Sequence, residues 1–183
     1  MKALALGLCG VLLGCGARSE PHAVANLFLP GCTRGRAYVV VRHGEKASPQ
    51  PNDPLGPPLS ERGRARAKTI ASMLAMAGVS RIVATQYTRT RETVAPLAEK
   101  LSLPIEVRQA DATRALVDEL RAEPDGAFVV IASHSNVLPG IVRALGGVDL
   151  VESDSLADDD YARVILITHA CGAQPYVVQL ASD

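Results

Sequence analysis

The 183-residue sequence has few aromatic side chains, no excess of charge and no long apolar run. Trp is absent and aromatic residues make up 3% of the chain, so the core is predicted to be aliphatic. The 19 basic and 19 acidic residues cancel, which argues against long-range attraction of nucleic acid or of an anionic membrane. Any anion that this protein binds must therefore be captured by local contacts.

The sequence also lacks the spacings typical of metal sites. It has four cysteines but no Cys-x-x-Cys pair and no His-Glu-x-x-His segment, so neither a metal nor another cofactor is expected. In an oxidising compartment a pair such as Cys32 and Cys171 closes a long loop. A Cys32–Cys171 disulfide is one expectation, and two unpaired thiols too far apart to bridge are the alternative.

Residues 1–14 form an apolar segment that is too short to span a bilayer and is typical of an export signal. Residues 12–15 (Leu-Leu-Gly-Cys) resemble the lipobox of bacterial lipoproteins, in which the cysteine becomes the lipidated first residue of the mature chain. This predicts an exported protein, periplasmic or in the cell envelope, that contacts the membrane only through a lipid on Cys15. The alternative is a plain cleaved signal that removes Cys9 and Cys15 together.

The remaining chain is predicted to form one domain over residues 36–181, preceded by a tether and loop at residues 15–35. Strand patterns and helix patterns alternate along it. Runs of β-branched and aliphatic residues predict strands at residues 38–41, 82–84, 105–107 and 127–132, and an antiparallel hairpin at 163–168 and 176–180.

Helical spacing of apolar residues predicts a helix after each of the first four strands. Ser60 is the expected N-cap of the first. Pro96 implies that the second is kinked or begins near Glu92. The apolar faces are predicted to carry Ile70, Met73, Leu74 and Ala77 in the first helix, Val94, Leu97, Ala98 and Leu101 in the second, Leu116, Val117 and Leu120 in the third, and residues 137–145 in the fourth.

Alternating strands and helices indicate a three-layer α/β/α sandwich with a mostly parallel central sheet. Ligands of such sheets bind beyond the carboxyl ends of the strands. Arg42 and His43 follow the first strand directly, and Ser133 and His134 follow the fourth. If these strands are neighbours, both histidines lie at the same rim. A single histidine at a strand end is more often structural, but here two coincide with an arginine.

Four segments in this order resemble the histidine phosphatase superfamily. They are Arg42-His43-Gly44, residues 58–63 (Pro-Leu-Ser-Glu-Arg-Gly), residues 85–93 with Arg89, and His134-Ser135-Asn136. The resemblance covers about residues 36–181 and implies a fold like that of phosphoglycerate mutase. It also implies that His43 is a nucleophile that forms a phosphohistidine, that Arg42 and Arg89 bind phosphate with Gly44, and that His134 donates a hydrogen bond. Arg91 is then a bystander.

Elementary chemistry is consistent with these roles. A phosphoryl group in transfer spreads negative charge over three oxygens, and planar guanidinium groups match their geometry. Two such cations also disfavour protonated His43, which keeps its lone pair available. The alternative is a structural role, in which Arg42 and Arg89 form surface ion pairs with carboxylates.

The sequence departs from the family pattern at the general acid. Relatives carry this carboxyl in an insertion after the third strand, where the present chain has only Asp111; Glu45 is the second candidate. The predicted function is hydrolysis of phosphomonoesters or phosphoramidates, with a small phosphorylated molecule or a phosphoprotein as substrate. The alternative is a lipid-tethered module that binds a phosphorylated ligand without turnover.

Overall fold

Six β-strands and four helices make up the computed structural model, which describes residues 35–147, 153–170 and 173–182. The signal segment, Cys15, Cys32 and Cys171 lie outside these residues, so the lipidation and disulfide predictions are not addressed. In chain order the elements are β1 (Gly35–Arg42), α1 (Glu61–Leu74), β2 (Arg81–Thr85), α2 (Thr88–Leu101), β3 (Ile105–Arg108), α3 (Thr113–Arg121), β4 (Phe128–Ser133), α4 (Leu138–Ala144), β5 (Arg163–Ala170) and β6 (Tyr176–Ala181).

The strands form one sheet in the order β3-β2-β4-β1-β5-β6. β2, β3, β4 and β1 pair in parallel, whereas β5 pairs antiparallel with both β1 and β6. The mostly parallel sheet and its C-terminal hairpin are therefore confirmed. β1 and β4 are direct neighbours, and Arg42 pairs with Ser133 at their carboxyl ends. The segments that follow these two residues consequently lie side by side.

Helices cover both faces of the sheet, as the continuous apolar runs predicted. Val39 and Val41 of β1 belong to the core that contains the buried residues of α1 and α2. Tyr38 and Val40 point the other way, into the core formed with α3 and α4. Of the helices within the described ranges, none combines the length and apolar character that a bilayer span requires.

Two helices differ in detail from the sequence-based expectation. Ser60 caps α1 as predicted, because its Oγ accepts a hydrogen bond from the Gly63 amide at 3.1 Å. Met73 was wrongly placed on the buried face and is 38% exposed, since α1 turns its smaller residues Ala67 and Ala71 toward the core instead. The start of α2 near Glu92 was also wrong: α2 begins at Thr88 and includes Pro96.

The loop after β1 packs against the first turn of α1 through two glycines, Gly44 and Gly63. A Cβ on Gly44 would lie 3.0 Å from the carbonyl oxygen of Gly63. A Cβ on Gly63 would lie 2.9 Å from the Glu45 amide nitrogen and closer still to the Glu45 carbonyl oxygen. Because both obstacles are backbone atoms, the two segments approach to a distance that no side chain permits. This contact holds the loop that begins with His43 against the helix.

A Gly63→Ala substitution is expected to lower the free energy of unfolding by about 2–3 kcal/mol, because the added methyl group displaces the backbone of the neighbouring loop. Gly140→Ala is the matched control, since Gly140 lies in α4 with open space around its Cβ position. There the same change should raise stability by about 0.5–1 kcal/mol. Urea unfolding measures both, and equal stabilities of the two variants would contradict the packing role of Gly63.

Candidate active site

A cleft of about 510 Å³ opens at the carboxyl rim of β1 and β4. All four side chains singled out from the sequence line it: Arg42, His43, Arg89 and His134. The centres of the two imidazole rings are 5.4 Å apart. Arg42, His43 and His134 are each at least nine-tenths buried, so their polar atoms face the cleft or the protein rather than bulk water. Other lining residues are Lys46, Tyr87, Asp111, Ser135, Asn136 and Asp158.

The ring orientation of His43 is set by the residue that follows it. Nδ1 lies 2.8 Å from the carbonyl oxygen of Gly44. Because a carbonyl oxygen only accepts, Nδ1 carries the hydrogen and Nε2 keeps the lone pair. The backbone amide of His43 also donates to the Ser133 carbonyl at 2.9 Å, which continues the pairing of β1 with β4 by one residue. The neutral imidazole therefore keeps an unprotonated Nε2.

The surroundings keep His43 neutral. Burial, and to a smaller extent the charges of Arg89, His134 and Arg42, lower its pKa to about 3, although the hydrogen bond to the Gly44 carbonyl acts in the opposite direction. The sequence-based argument named only the two arginines; the structure adds burial as the larger cause. At neutral pH the Nε2 lone pair of the free protein is thus available without prior loss of a proton.

His134 is held by a chain of hydroxyl groups. Its Nε2 lies 2.9 Å from Thr85 Oγ1, which lies 2.8 Å from Thr90 Oγ1. Thr90 Oγ1 in turn donates to the backbone carbonyls of Thr85 and Tyr87 at 3.0 and 2.8 Å. On the cleft side, His134 Nδ1 lies 3.4 Å from Arg89 Nη2. Burial, then Arg89 and Arg42, lower the pKa of His134 to about 4.

Arg42 is fixed by the loop that precedes β5. Its Nη1 donates to the carbonyl oxygens of Ala157 at 2.7 Å and Asp160 at 3.2 Å. Its guanidinium carbon lies 4.0 Å from the centre of the Tyr161 ring. The buried Nε has no partner. These contacts orient the guanidinium but leave its charge unneutralised.

Arg89 lies in the first turn of α2. Its guanidinium carbon is 4.6 Å from the centre of the Tyr87 ring, and its buried Nε also lacks a partner. Gly56 passes so close that a Cβ there would lie 2.7 Å from Arg89 Nη1. Neither Arg42 nor Arg89 forms a salt bridge within the described residues, so the ion-pair alternative for them is wrong. Two uncompensated cations beside two neutral imidazoles form a site for an anion.

Gly44 lies between α1 and α2 and contacts both. Its amide donates to Thr93 Oγ1 at 2.9 Å, and Thr93 donates to the Arg89 carbonyl at 2.7 Å. The Gly44 amide is thus engaged within the protein, and the missing Cβ leaves room for Gly63. Glu92, the neighbour of Thr93 in α2, accepts the Leu59 amide at 2.7 Å, so both residues hold loops at the cleft.

Glu45 is excluded as the general acid. Its carboxylate forms ion pairs with Arg66 at 2.8 Å and Arg62 at 3.0 Å, and it does not line the cleft. Burial favours a higher pKa, but the hydrogen bonds from Arg66 and the charge of Arg62 outweigh it and lower the pKa of Glu45. Arg66, itself 6% exposed, also donates to the carbonyl and hydroxyl oxygens of Ser182, both at 3.1 Å.

Asp111 does line the cleft, and so does Asp158, which sequence reasoning missed. Tyr87, Tyr161 and Thr85 were missed as well. Thr85 ends β2 and Tyr87 follows it at the same rim, so the rule that led to His43 applied to them too. Within the described parts of the chain, no group of three or more His, Cys, Asp or Glu side chains could hold a metal ion.

Comparison with known proteins agrees with this site. The family model of the histidine phosphatase superfamily, branch 1, matches residues 38–110. The 8-oxo-(d)GTP phosphatase of Mycolicibacterium smegmatis is 30% identical over 136 residues, which cover 68% of this chain and 42% of that protein. The match therefore spans less than half the length of that relative.

Two solved structures share the fold. A protein of Agrobacterium tumefaciens assigned as the phosphohistidine phosphatase SixA superposes with a TM-score of 0.62 at 18% identity, over 79% of this chain and 97% of its own. The mycobacterial glucosyl-3-phosphoglycerate phosphatase superposes with a TM-score of 0.58 at 20% identity, over 74% and 91% respectively. At these identities the likeness concerns the fold alone. The family model and the ordered motifs show that this chain belongs to the histidine phosphatase superfamily, and the shared fold agrees with this.

Proposed function

We propose that the protein is a phosphatase that transfers a phosphoryl group first to His43 and then to water. The observation that carries this proposal is the arrangement around one cleft of a neutral His43, whose Nδ1–H bonds to the Gly44 carbonyl, and the unneutralised Arg42 and Arg89. Transfer of a phosphoryl group requires a nucleophilic nitrogen and guanidinium groups that bind the phosphoryl oxygens.

In the first step the lone pair of His43 Nε2 attacks phosphorus, a P–N bond forms, and the bond from phosphorus to the leaving group breaks. Arg42 and Arg89 stabilise the negative charge on the three phosphoryl oxygens that do not exchange. In the second step a water oxygen attacks phosphorus, the P–N bond breaks, and inorganic phosphate and neutral His43 are restored. The proton of the attacking water leaves with the product or passes to a carboxylate at the cleft.

The leaving group requires a proton when it is a poor one, such as an alkoxide. Asp111 and Asp158 line the cleft, and either is placed to supply it. Both side chains are exposed, so a substrate can reach them from solvent. These features support small phosphomonoesters or phosphoramidates, or a phosphorylated side chain of another protein, as the substrate class. The phosphatase names of the relatives point in the same direction.

His43→Ala is expected to reduce phosphate release from p-nitrophenyl phosphate and from phosphohistidine by roughly a thousandfold or more, because the nucleophile is lost. Rapid acid quenching should trap a phosphoryl group on the wild-type chain at His43 and none on the variant. Arg89→Lys should cost roughly a hundredfold in kcat/KM, since a bidentate phosphate contact is lost.

Arg91→Lys is the matched control for Arg89, and its activity should remain near that of the wild type. Undiminished turnover by His43→Ala would reject the mechanism. Binding of inorganic phosphate without hydrolysis of any substrate would instead favour the binding module.

The general acid is tested with two leaving groups. Replacing the residue that protonates the leaving group should lower kcat/KM for an alkyl phosphate by roughly a hundredfold or more and leave p-nitrophenyl phosphate nearly unaffected. We expect this pattern for Asp111→Asn or Asp158→Asn. Asp159→Asn, a neighbouring change outside the cleft lining, is the control. Equal losses with both substrates would contradict an acid role for the residue concerned.

We further propose that the protein is exported and anchored to the membrane by a lipid on Cys15. This part of the proposal rests on residues 1–15 of the sequence. We expect cells fed labelled palmitate to incorporate it into the wild-type chain and to retain the protein in the membrane fraction. Cys15→Ser should abolish both, because the thiol that carries the lipid is gone. Cys9→Ser is the matched control and should change neither. Membrane retention of the Cys15→Ser protein would argue against the anchor.

A further inference from the structure

The hydrogen-bond chain behind His134 determines which ring nitrogen carries the hydrogen. Thr90 Oγ1 donates to backbone carbonyls, which can only accept, so its single hydrogen is committed there. The hydrogen between the two hydroxyl groups must then come from Thr85. Since the Thr85 hydrogen is in turn committed to Thr90, the contact between Thr85 and His134 is made by a hydrogen on His134 Nε2.

The other side of the ring leads to the same assignment. Arg89 Nη2 lies 3.4 Å from His134 Nδ1, and a guanidinium only donates. His134 Nδ1 is therefore an acceptor in the free protein. Two independent partners, a hydroxyl chain and a cation, thus select the same neutral tautomer.

We propose that Thr85 is a positioning residue that commits neutral His134 to the Nε2–H tautomer, so that His134 donates to a bound oxyanion only by taking up a proton from solvent as the oxyanion binds. This inference rests on the proposed function, because it concerns how the same cleft receives its phosphoryl group. The proton adds to Nδ1, and the resulting imidazolium donates from Nε2 to Thr85 and from Nδ1 to the anion.

The charged groups around His134 explain why the proton is absent before binding. Arg89 of α2 and Arg42 of β1 are positive, and the imidazole of His43 and the ring of Tyr87 lie with their centres 5.4 and 5.1 Å from that of His134. Burial and the two arginines lower the pKa of His134 to about 4 in the free protein.

A dianion in the cleft reverses the electrostatic effect of the arginines, because it neutralises their charges and adds negative charge beside Nδ1. The pKa of His134 therefore rises on binding. The other titratable side chains that line the cleft are Lys46, Asp111 and Asp158. Proton uptake is expected at any pH between the free and the bound pKa, and it disappears below about 4, where His134 is already protonated.

Sulfate is the probe, since it is a tetrahedral dianion that brings no proton of its own. Titration calorimetry in buffers of different ionisation enthalpy measures the protons taken up on binding. At about pH 6 we expect close to one proton per sulfate, and an affinity that falls about tenfold for each pH unit between the free and the bound pKa of His134. His43→Asn should retain this uptake and His134→Gln should lose it, which assigns the proton to His134 rather than to His43.

Thr85→Val removes the hydroxyl group at nearly constant volume. Neutral His134 is then free to carry its hydrogen on Nδ1 and to donate without uptake, so the pH dependence of sulfate binding should flatten. Thr168→Val is the matched control, because Thr168 is a buried threonine on β5 that bonds to the Tyr176 carbonyl. Its sulfate binding should match the wild type at every pH.

Nitrogen NMR of the His134 ring gives a readout that does not depend on binding. The free wild-type protein should show a protonated Nε2 and an unprotonated Nδ1, and Thr85→Val should show a mixture. A protonated Nδ1 in the free wild-type protein, or sulfate binding with no proton uptake, would overturn the proposal. Because neither measurement needs turnover, these outcomes are distinct from a failure of the proposed phosphatase activity.

Discussion

The parallel pairing of β1 with β4 is the constraint on which the site depends. It places Arg42 opposite Ser133, so His43 and His134, one residue further along each strand, emerge beside each other. Side chains alternate between the faces of a sheet, and a shift of one residue in this pairing would turn one histidine away from the other. The aliphatic packing on both faces of β1 and β4 therefore also maintains the distance between the two imidazoles.

The first two turns of α2 provide the second half of the arrangement. Arg89 brings positive charge to the cleft, Thr90 ends the hydroxyl chain behind His134, and Thr93 holds the Gly44 amide. As a result the two imidazoles carry their hydrogens on different nitrogens, His43 on Nδ1 and His134 on Nε2. Both rings are neutral, and both guanidiniums are charged without a salt bridge among the described residues, which favours the binding of an anion beside them.

Much of this could be predicted from the sequence because its signals are local. Continuous β-branched runs marked the buried strands, Ser60 marked the start of α1, and the positions after β1 and β4 marked the rim where ligands bind. What escaped prediction depends on distant partners. Arg42 donates a hydrogen bond to the carbonyl oxygen of Ala157, which lies 115 residues away in the sequence, and no local sequence pattern predicts that contact. The ion pair between Glu45 and Arg66 forms only in the folded chain, so the sequence alone left Glu45 as a candidate for the general acid.

Buried Arg66 bonds to both Ser182 and Glu45, so it connects the residue after β6 to the segment that follows His43. Ser182 also donates from its amide and its hydroxyl group to the Ala162 carbonyl, next to the Tyr161 ring that packs on Arg42. A protein shortened to end at Ala181 would take two acceptors from a cation with little access to water and would loosen the support of Tyr161. Loss of Ser182 is therefore not neutral for the geometry of the cleft.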